Sequence, residues 1–259
     1  RSYIKIGYDY KTRTWSNTCN APKHIKMTLD KQFEGLVAKA KDGDNGAIHG
    51  NVWCALDTSG SMGVPTQAGV SALDICTSLG LFFSTLNEGA FHKNVIMFDS
   101  TSRVKQLTGS FCDMMTQIPM NTMGSTNVNS VVDEICRIRT AYPDTPLADY
   151  PTTLLVVSDM HFNGNSSQTN YEYLKSKLNQ CFPTEWVNQF KVVWWNVASR
   201  ETVFPSTMDD GGTYFLSGMD GSVISLLLGG EVKTVDGKQP TMEELMDAAL
   251  NQEILQQVK

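Results

Sequence analysis

The chain has 259 residues, 41% of them hydrophobic, and a formal net charge of −6. That is enough to bury one substantial core, while no apolar run reaches the ~18 residues of a membrane-spanning helix and Arg1-Ser2-Tyr3-Ile4-Lys5 lacks the long apolar stretch of a secretory signal. Charge is uneven: residues 1–45 carry nine Lys or Arg against five acids, a net of about +4, which leaves about −10 on the remainder and argues against phosphate-backbone binding by the main body.

The first residue is not Met, as in a trimmed chain or a piece of a longer one. In the leading segment Lys5, Lys11, Arg13, Lys23 and Lys26 alternate with Tyr3, Tyr8, Tyr10 and Trp15. Such a mix reads as an arm packed on its own domain, with RNA contact through residues 1–30 as the alternative. The apolar run 52–56 predicts a buried strand, and it ends in Asp57-Thr58-Ser59-Gly60-Ser61. An acid followed by hydroxyls two and four positions on aims one carboxylate and two neutral oxygens at a single point. Such a set suits a hard cation such as Mg²⁺, and Gly60 gives the turn its backbone freedom.

Apolar residues recur at Val70, Leu73, Cys76, Leu79, Phe82, Phe83 and Leu86, which predicts a largely buried helix over 68–86 with a stop at Gly89. Residues 95–98 and 103–107 read as a hairpin, its second strand alternating as an edge strand does. Asp99, at the end of the first of these, is either a turn residue or an outer neighbour of a bound metal. Gly124-Ser125-Thr126-Asn127 precedes an amphipathic helix through Val128, Val131, Val132, Ile135 and Ile138, with Asn127 as its expected N-cap.

A loop with three prolines (141–151) leads into Leu154-Leu155-Val156-Val157-Ser158-Asp159, a buried-type strand closed by an acid. A helix is expected over 171–181 and a strand over 190–197, where alternation puts Trp194 and Trp195 on opposite faces as core residues. After a turn at 209–212 come a last strand at 214–216, a helix over 222–228, and another opened by the T-x-x-E box Thr241 to Glu244. Strand and helix alternate, so the fold class is α/β: an open, mostly parallel, doubly wound sheet with helices on both faces. Loops at the carboxyl ends of neighbouring strands then converge on one crevice.

Of six cysteines, Cys54 falls in a strand and Cys76 and Cys136 in helices, where they are expected as free core residues. No C-x-x-C pair is present, and the expected setting is reducing, intracellular and cytoplasmic. Met114, Met115, Met120 and Met123 are read as core filling rather than a soft contact surface. His24, His49 and His92 have no ligand spacing.

The three-part pattern, D-x-S-x-S at Asp57 to Ser61, then Thr126, then Asp159 closing an apolar strand, resembles the metal-ion-dependent adhesion site of von Willebrand factor type A (vWA) domains. The resemblance covers about residues 50–230 and implies a vWA-like domain there, an N-terminal extension over 1–49, and a C-terminal helical segment over 231–259 packed on the domain. It implies Asp57, Ser59, Ser61 and Thr126 as metal ligands, with Asp159 acting directly or through water. Mg²⁺ is the expected ion, with Mn²⁺ or Ca²⁺ as alternatives. The function it implies is docking rather than catalysis: the cation engages an Asp or Glu on a partner protein. One departure is that Met160 and His161 follow Asp159, where many family members have Gly. Gly218-Met219-Asp220-Gly221 is similar to the intracellular Ro/TROVE-type branch, which would imply part of an RNA-protein particle.

A Mg²⁺-dependent phosphoesterase is the rival. In haloacid-dehalogenase-like phosphatases a second Asp stands two residues after the first, where this chain has Ser59, a poor general acid, and no G-x-x-x-x-G-K loop is present. Ser61, Asp159 and His161 supply hydrolase residue types without the G-x-S-x-G elbow.

Overall fold

The structure, a computed structural model, describes residues 4–9, 14–42, 50–63, 70–118, 125–162, 169–198 and 211–218. The helices expected at 222–228 and after Pro240, and most of the Gly218 to Gly221 motif, lie outside them. So do Met120 and Met123.

Six strands make the sheet: β3 (Val52–Asp57), β4 (Asn94–Phe98), β5 (Ser102–Gln106), β6 (Thr153–Ser158), β7 (Lys191–Asn196) and β8 (Thr213–Ser217), in the order β5-β4-β3-β6-β7-β8. Neighbours are parallel except β5, which pairs antiparallel with β4 as the edge strand. Every residue of β3 is buried, and so is all of β6 beyond Thr153, which is what continuous apolar runs require when both faces of a sheet are covered. The covering helices are α2 (Ala72–Leu86) and α3 (Phe111–Thr116) on one face, and α4 (Asn129–Ala141), α5 (Asn170–Cys181) and the short α6 (Thr184–Val187) on the other. Alternation assigns Trp53, Ala55, Val156 and Trp194 to the α4/α5 side, and Cys54, Leu56, Val157 and Trp195 to the α2 side. The α/β, mostly parallel, vWA-like fold predicted from the sequence is the fold observed.

Before the sheet come an antiparallel hairpin, β1 (Ile4–Asp9) and β2 (Thr14–Cys19), and the 20-residue helix α1 (Lys23–Asp42), which packs on α2 and α3. The sequence predicts an arm here without marking the hairpin or the helix. Among the described residues no helix is long and apolar enough to cross a membrane.

Several boundaries move for local reasons. Helix α2 starts at Ala72, because Ser71 closes a capping box with Asp74; Val70 lies ahead of the cap and is exposed. The cap of α4 is Val128, not Asn127, whose backbone N–H instead donates to the Asp99 carbonyl at 2.7 Å. Cys54 and Cys76 are buried core residues outside any disulfide, as expected, but Cys136 is disulfide-bonded to Cys181, with Cα atoms 5.8 Å apart, tying α4 to α5. Two helices packed side by side bring together cysteines that the sequence leaves 45 residues apart. Met114 is a core residue and Met115 packs against the core, which agrees with the filling role.

Gly80 sets how closely α2 approaches β3. A Cβ at this position would run into the buried Leu56 side chain, 2.9 Å from its Cγ, one residue before the acid that ends the strand. Gly80→Ala gains helix propensity yet forces Leu56 aside, so a net loss of about 1–3 kcal/mol is expected in urea unfolding.

Candidate metal centre

Strands β3 and β6 are parallel neighbours ending at Asp57 and Ser158. From β3 the chain passes through α2 to β4 on one side, whereas β6 continues to β7 on the other. That divergence is the switch point of an open α/β sheet, the position at which such sheets bind their ligands.

Asp57 is fully buried. Its Oδ1 accepts the Ser59 N–H at 2.9 Å and its Oδ2 accepts the Ser158 hydroxyl at 2.5 Å. Burial pushes its pKa up to about 6; the bonds from Ser158 and Ser59 pull it down, and the nearby Asp159 carboxylate pushes it up. Asp159 is itself buried. Its Oδ1 accepts the His161 N–H at 3.2 Å, while Oδ2 has no hydrogen-bond donor and lies 3.7 Å from His161 Nδ1. Among the described residues no lysine or arginine pairs with either carboxylate.

The hydroxyls sit on the loops around them. Ser59 Oγ lies 3.2 Å from Ser61 Oγ, in the short 3-10 turn Gly60–Gly63, which is anchored by the fully buried Met62. Thr126 is buried at the head of α4. Its loop is stitched to the same end of the sheet: Asn127 N–H donates to the Asp99 carbonyl at 2.7 Å, and Thr58 N–H to the Phe98 carbonyl at 2.9 Å. Asp57, Ser59, Ser61, Thr126 and Asp159 thus occupy one edge of the sheet. Asp99 serves as a turn residue, its Oδ1 accepting from Thr101 N–H and the Ser100 hydroxyl.

Sequence reasoning overlooked Ser158. Its Oγ accepts the Met160 N–H at 2.9 Å while donating to Asp57, so one hydroxyl links the two acid-bearing loops. The available signal was a hydroxyl interrupting an apolar run immediately before an acid. Where the resembled family often has Gly, Met160 adopts a left-handed φ of +62°. A side chain there costs about 1–2 kcal/mol, offset by burial of the Met160 side chain in the core and by the bond to Ser158.

Among the described residues no three His, Cys, Asp or Glu side chains gather as a metal site. The donors here are two carboxylates and hydroxyls, all oxygen and mostly neutral, a set that suits Mg²⁺ with retained waters rather than zinc or copper. The residues present fit such an ion: Asp159 Oδ2 accepts no hydrogen bond, Asp57 is desolvated, and neither is paired with a lysine or arginine among the described residues.

The model of a family described as "Domain of unknown function (DUF7788)" matches residues 52–258. None of the curated proteins resembles the chain in sequence. In fold it is similar to the crystal structure of the Deinococcus radiodurans Ro (RSR) protein, with a TM-score of 0.56 and 14% identity, over 77% of this chain and 37% of that one. The chain therefore spans little more than a third of that relative's length.

Because folding raises the pKa of Asp57 from 3.8 to about 6, the folded chain holds a proton between those values that the unfolded chain has released. Without metal, this residue's contribution to stability therefore grows as pH falls from about 7.5 to about 5. Thermal melts in chelator should show that increment in the natural chain and not in Asp57→Asn, and the variant should be the more stable of the two near pH 7.5.

Proposed function

The chain belongs to the DUF7788 family, and we propose that it is a divalent-cation-dependent protein-docking module rather than an enzyme. The residues that would hold the cation are Asp57, Ser59, Ser61 and Thr126, with Asp159 direct or through water. When bound, Mg²⁺ would supply a Lewis-acidic position open to an oxygen from outside, best filled by an Asp or Glu of a partner. The observation that carries this reading is the pair of buried carboxylates on adjacent strand ends, one desolvated and the other with an oxygen lacking any donor.

The chain's own groups have distinct tasks in this scheme. Ser158 and the Ser59 N–H hold the Asp57 carboxylate in one orientation. His161 N–H fixes Asp159 Oδ1, leaving Oδ2 as the available atom. The hydroxyls of Ser59, Ser61 and Thr126 add donors without adding negative charge, so a divalent ion keeps its pull on an external acid. A second Asp in place of Ser59 would weaken that pull and favour phosphoryl chemistry, which is why the phosphoesterase reading ranks below docking.

Contact with RNA is a second reading. It is supported by the positive excess of residues 1–45 and by Lys23, Lys31, Lys39 and Lys41, all exposed on α1. Both meet one experiment, an affinity pull-down from lysate with Mg²⁺ or with chelator. Docking predicts a protein partner recovered only with Mg²⁺ and lost in Asp57→Ala, whose fold persists by circular dichroism. Recovery unchanged by chelator and by the substitution would rule the docking mechanism out, and a nuclease-sensitive partner would favour RNA. Saturating Mg²⁺ should also raise the melting temperature of the natural chain and leave that of Asp57→Asn unmoved.

A further inference from the structure

Among the described residues, the lysine and arginine ion pairs lie on α1, on α4 and between α4 and α5, with a single exception at the carboxyl edge of the sheet. There Arg103 of β5 reaches back to Asp99, the residue after β4, with Nη1 3.7 Å from Oδ2. The end of β4 touches both halves of the candidate site. Phe98 is the register partner of Asp57, its carbonyl accepts the Thr58 N–H at 2.9 Å, and the Asp99 carbonyl accepts the Asn127 N–H beside Thr126 at 2.7 Å. Arg103 therefore brings a positive charge to the rim of the site, from the strand that ends the sheet.

The two members of this pair are unequal. The Asp99 side chain is 2% exposed and that of Arg103 is 47% exposed. Asp99 Oδ1 is occupied by the Thr101 N–H and the Ser100 hydroxyl, as its turn requires. The guanidinium approaches Oδ2 through one nitrogen, at a distance beyond a hydrogen bond, so its N–H groups have no acceptor among the described residues. Charge points the same way. Asp57, Asp99 and Asp159 are three buried acids at one edge. A divalent ion offsets two of them and Arg103 the third, so an outside acid can approach without net repulsion.

We propose that Arg103 is the second anchor of the docking site, and that the partner presents an acidic segment with two acids, one for the cation and one for the Arg103 guanidinium. This rests on the cation-docking reading above and adds the class of partner to it. Strand β5 stands two strand spacings from β3, about 10 Å, and the Arg103 side chain shortens that gap by turning toward β4. An extended segment advances about 3.3 Å per residue, so the second acid belongs about two or three positions from the first. A planar guanidinium with open N–H groups receives a carboxylate through two parallel bonds, a geometry that an ammonium group does not offer.

Fluorescence anisotropy on the full chain tests this with labelled glycine-serine peptides, in Mg²⁺ and in chelator. One peptide carries a single aspartate, and in the others a second aspartate stands at successive positions further along. In Mg²⁺ the natural chain should bind the peptides with acids two or three positions apart about tenfold more tightly than the single-acid peptide. The readout is the ratio of the two affinities within each protein, so an effect on fold or cation that weakens all peptides alike cancels. Arg103→Gln should abolish the gain, and Arg103→Lys, which keeps the charge without the fork, should keep part of it. Single-acid binding in Mg²⁺ with no gain from a second acid, with a gain equal at every spacing, or with a gain that survives Arg103→Gln would overturn the role of Arg103 and leave docking standing. Absence of any Mg²⁺-dependent peptide binding would defeat the docking reading and this inference with it.

Discussion

Two carboxylates buried beside each other at the carboxyl ends of β3 and β6 are the constraint around which this molecule is arranged. Taking an acid out of water is costly, and a second acid nearby makes it more so. The chain meets that cost with local hydrogen bonds rather than with a basic side chain: Ser158 and Ser59 N–H serve Asp57, and His161 N–H serves Asp159. Below them the strand ends are held flush. The Cys76 thiol donates weakly to the Asp57 carbonyl at 3.7 Å and to the Val157 carbonyl at 3.3 Å, bridging both strands from α2. That helix can come so close because Gly80 carries no side chain to meet Leu56. The arrangement holds two negative groups still without neutralising them, which is what a stable fold does only when something else completes the site or when strain is tolerated for function.

The sheet was legible because its strands are short apolar runs separated by helices of regular period. Residues 52–56, 95–98 and 190–197 could hardly be anything but buried strands, and the order in which acid and hydroxyl residues follow them marked the carboxyl edge. Legibility failed where a structure depends on partners distant in the chain. The Cys136–Cys181 bond needs α4 and α5 to be neighbours, and nothing in either sequence segment states that they are. Helix α3 has only six residues, too few to show a period; Ser110 and Asp113 close a capping box at its start, but the acceptor of its Cys112 N–H is Asp30, 82 residues earlier. The N-terminal helix α1 was obscured by its polar composition: its register shows only once Phe33 finds Phe111.

Site residues followed the same division. Asp57, Ser59 and Ser61 are close in sequence, so their mutual geometry is a property of one turn and could be read directly. Thr126 and Asp159 required the sheet order before they could be put on the same edge. Ser158 was hidden by its context, because a serine at the end of an apolar strand looks like the strand's boundary. Only the register of β6 against β3 turns its hydroxyl onto Asp57.

Fold likeness to the Ro protein describes the scaffold and leaves the chemistry to these side chains. What separates the possible chemistries is how many negative charges the protein itself offers to a divalent ion. One direct carboxylate and neutral hydroxyls, with the second carboxylate reaching through water, would hold the ion without cancelling its charge at close range, leaving a position where an outside carboxylate competes with water. A third internal carboxylate would raise affinity for the ion while reducing what it can attract. With Ser59 and Ser61 in the loop of Asp57, this chain has the smaller number, and the Asp159 oxygen that accepts no hydrogen bond has His161 Nδ1 near it, at 3.7 Å, and no lysine or arginine partner among the described residues. The balance of charge in the site, more than its fold, is therefore the physical reason to read it as a place where another molecule's acid is received.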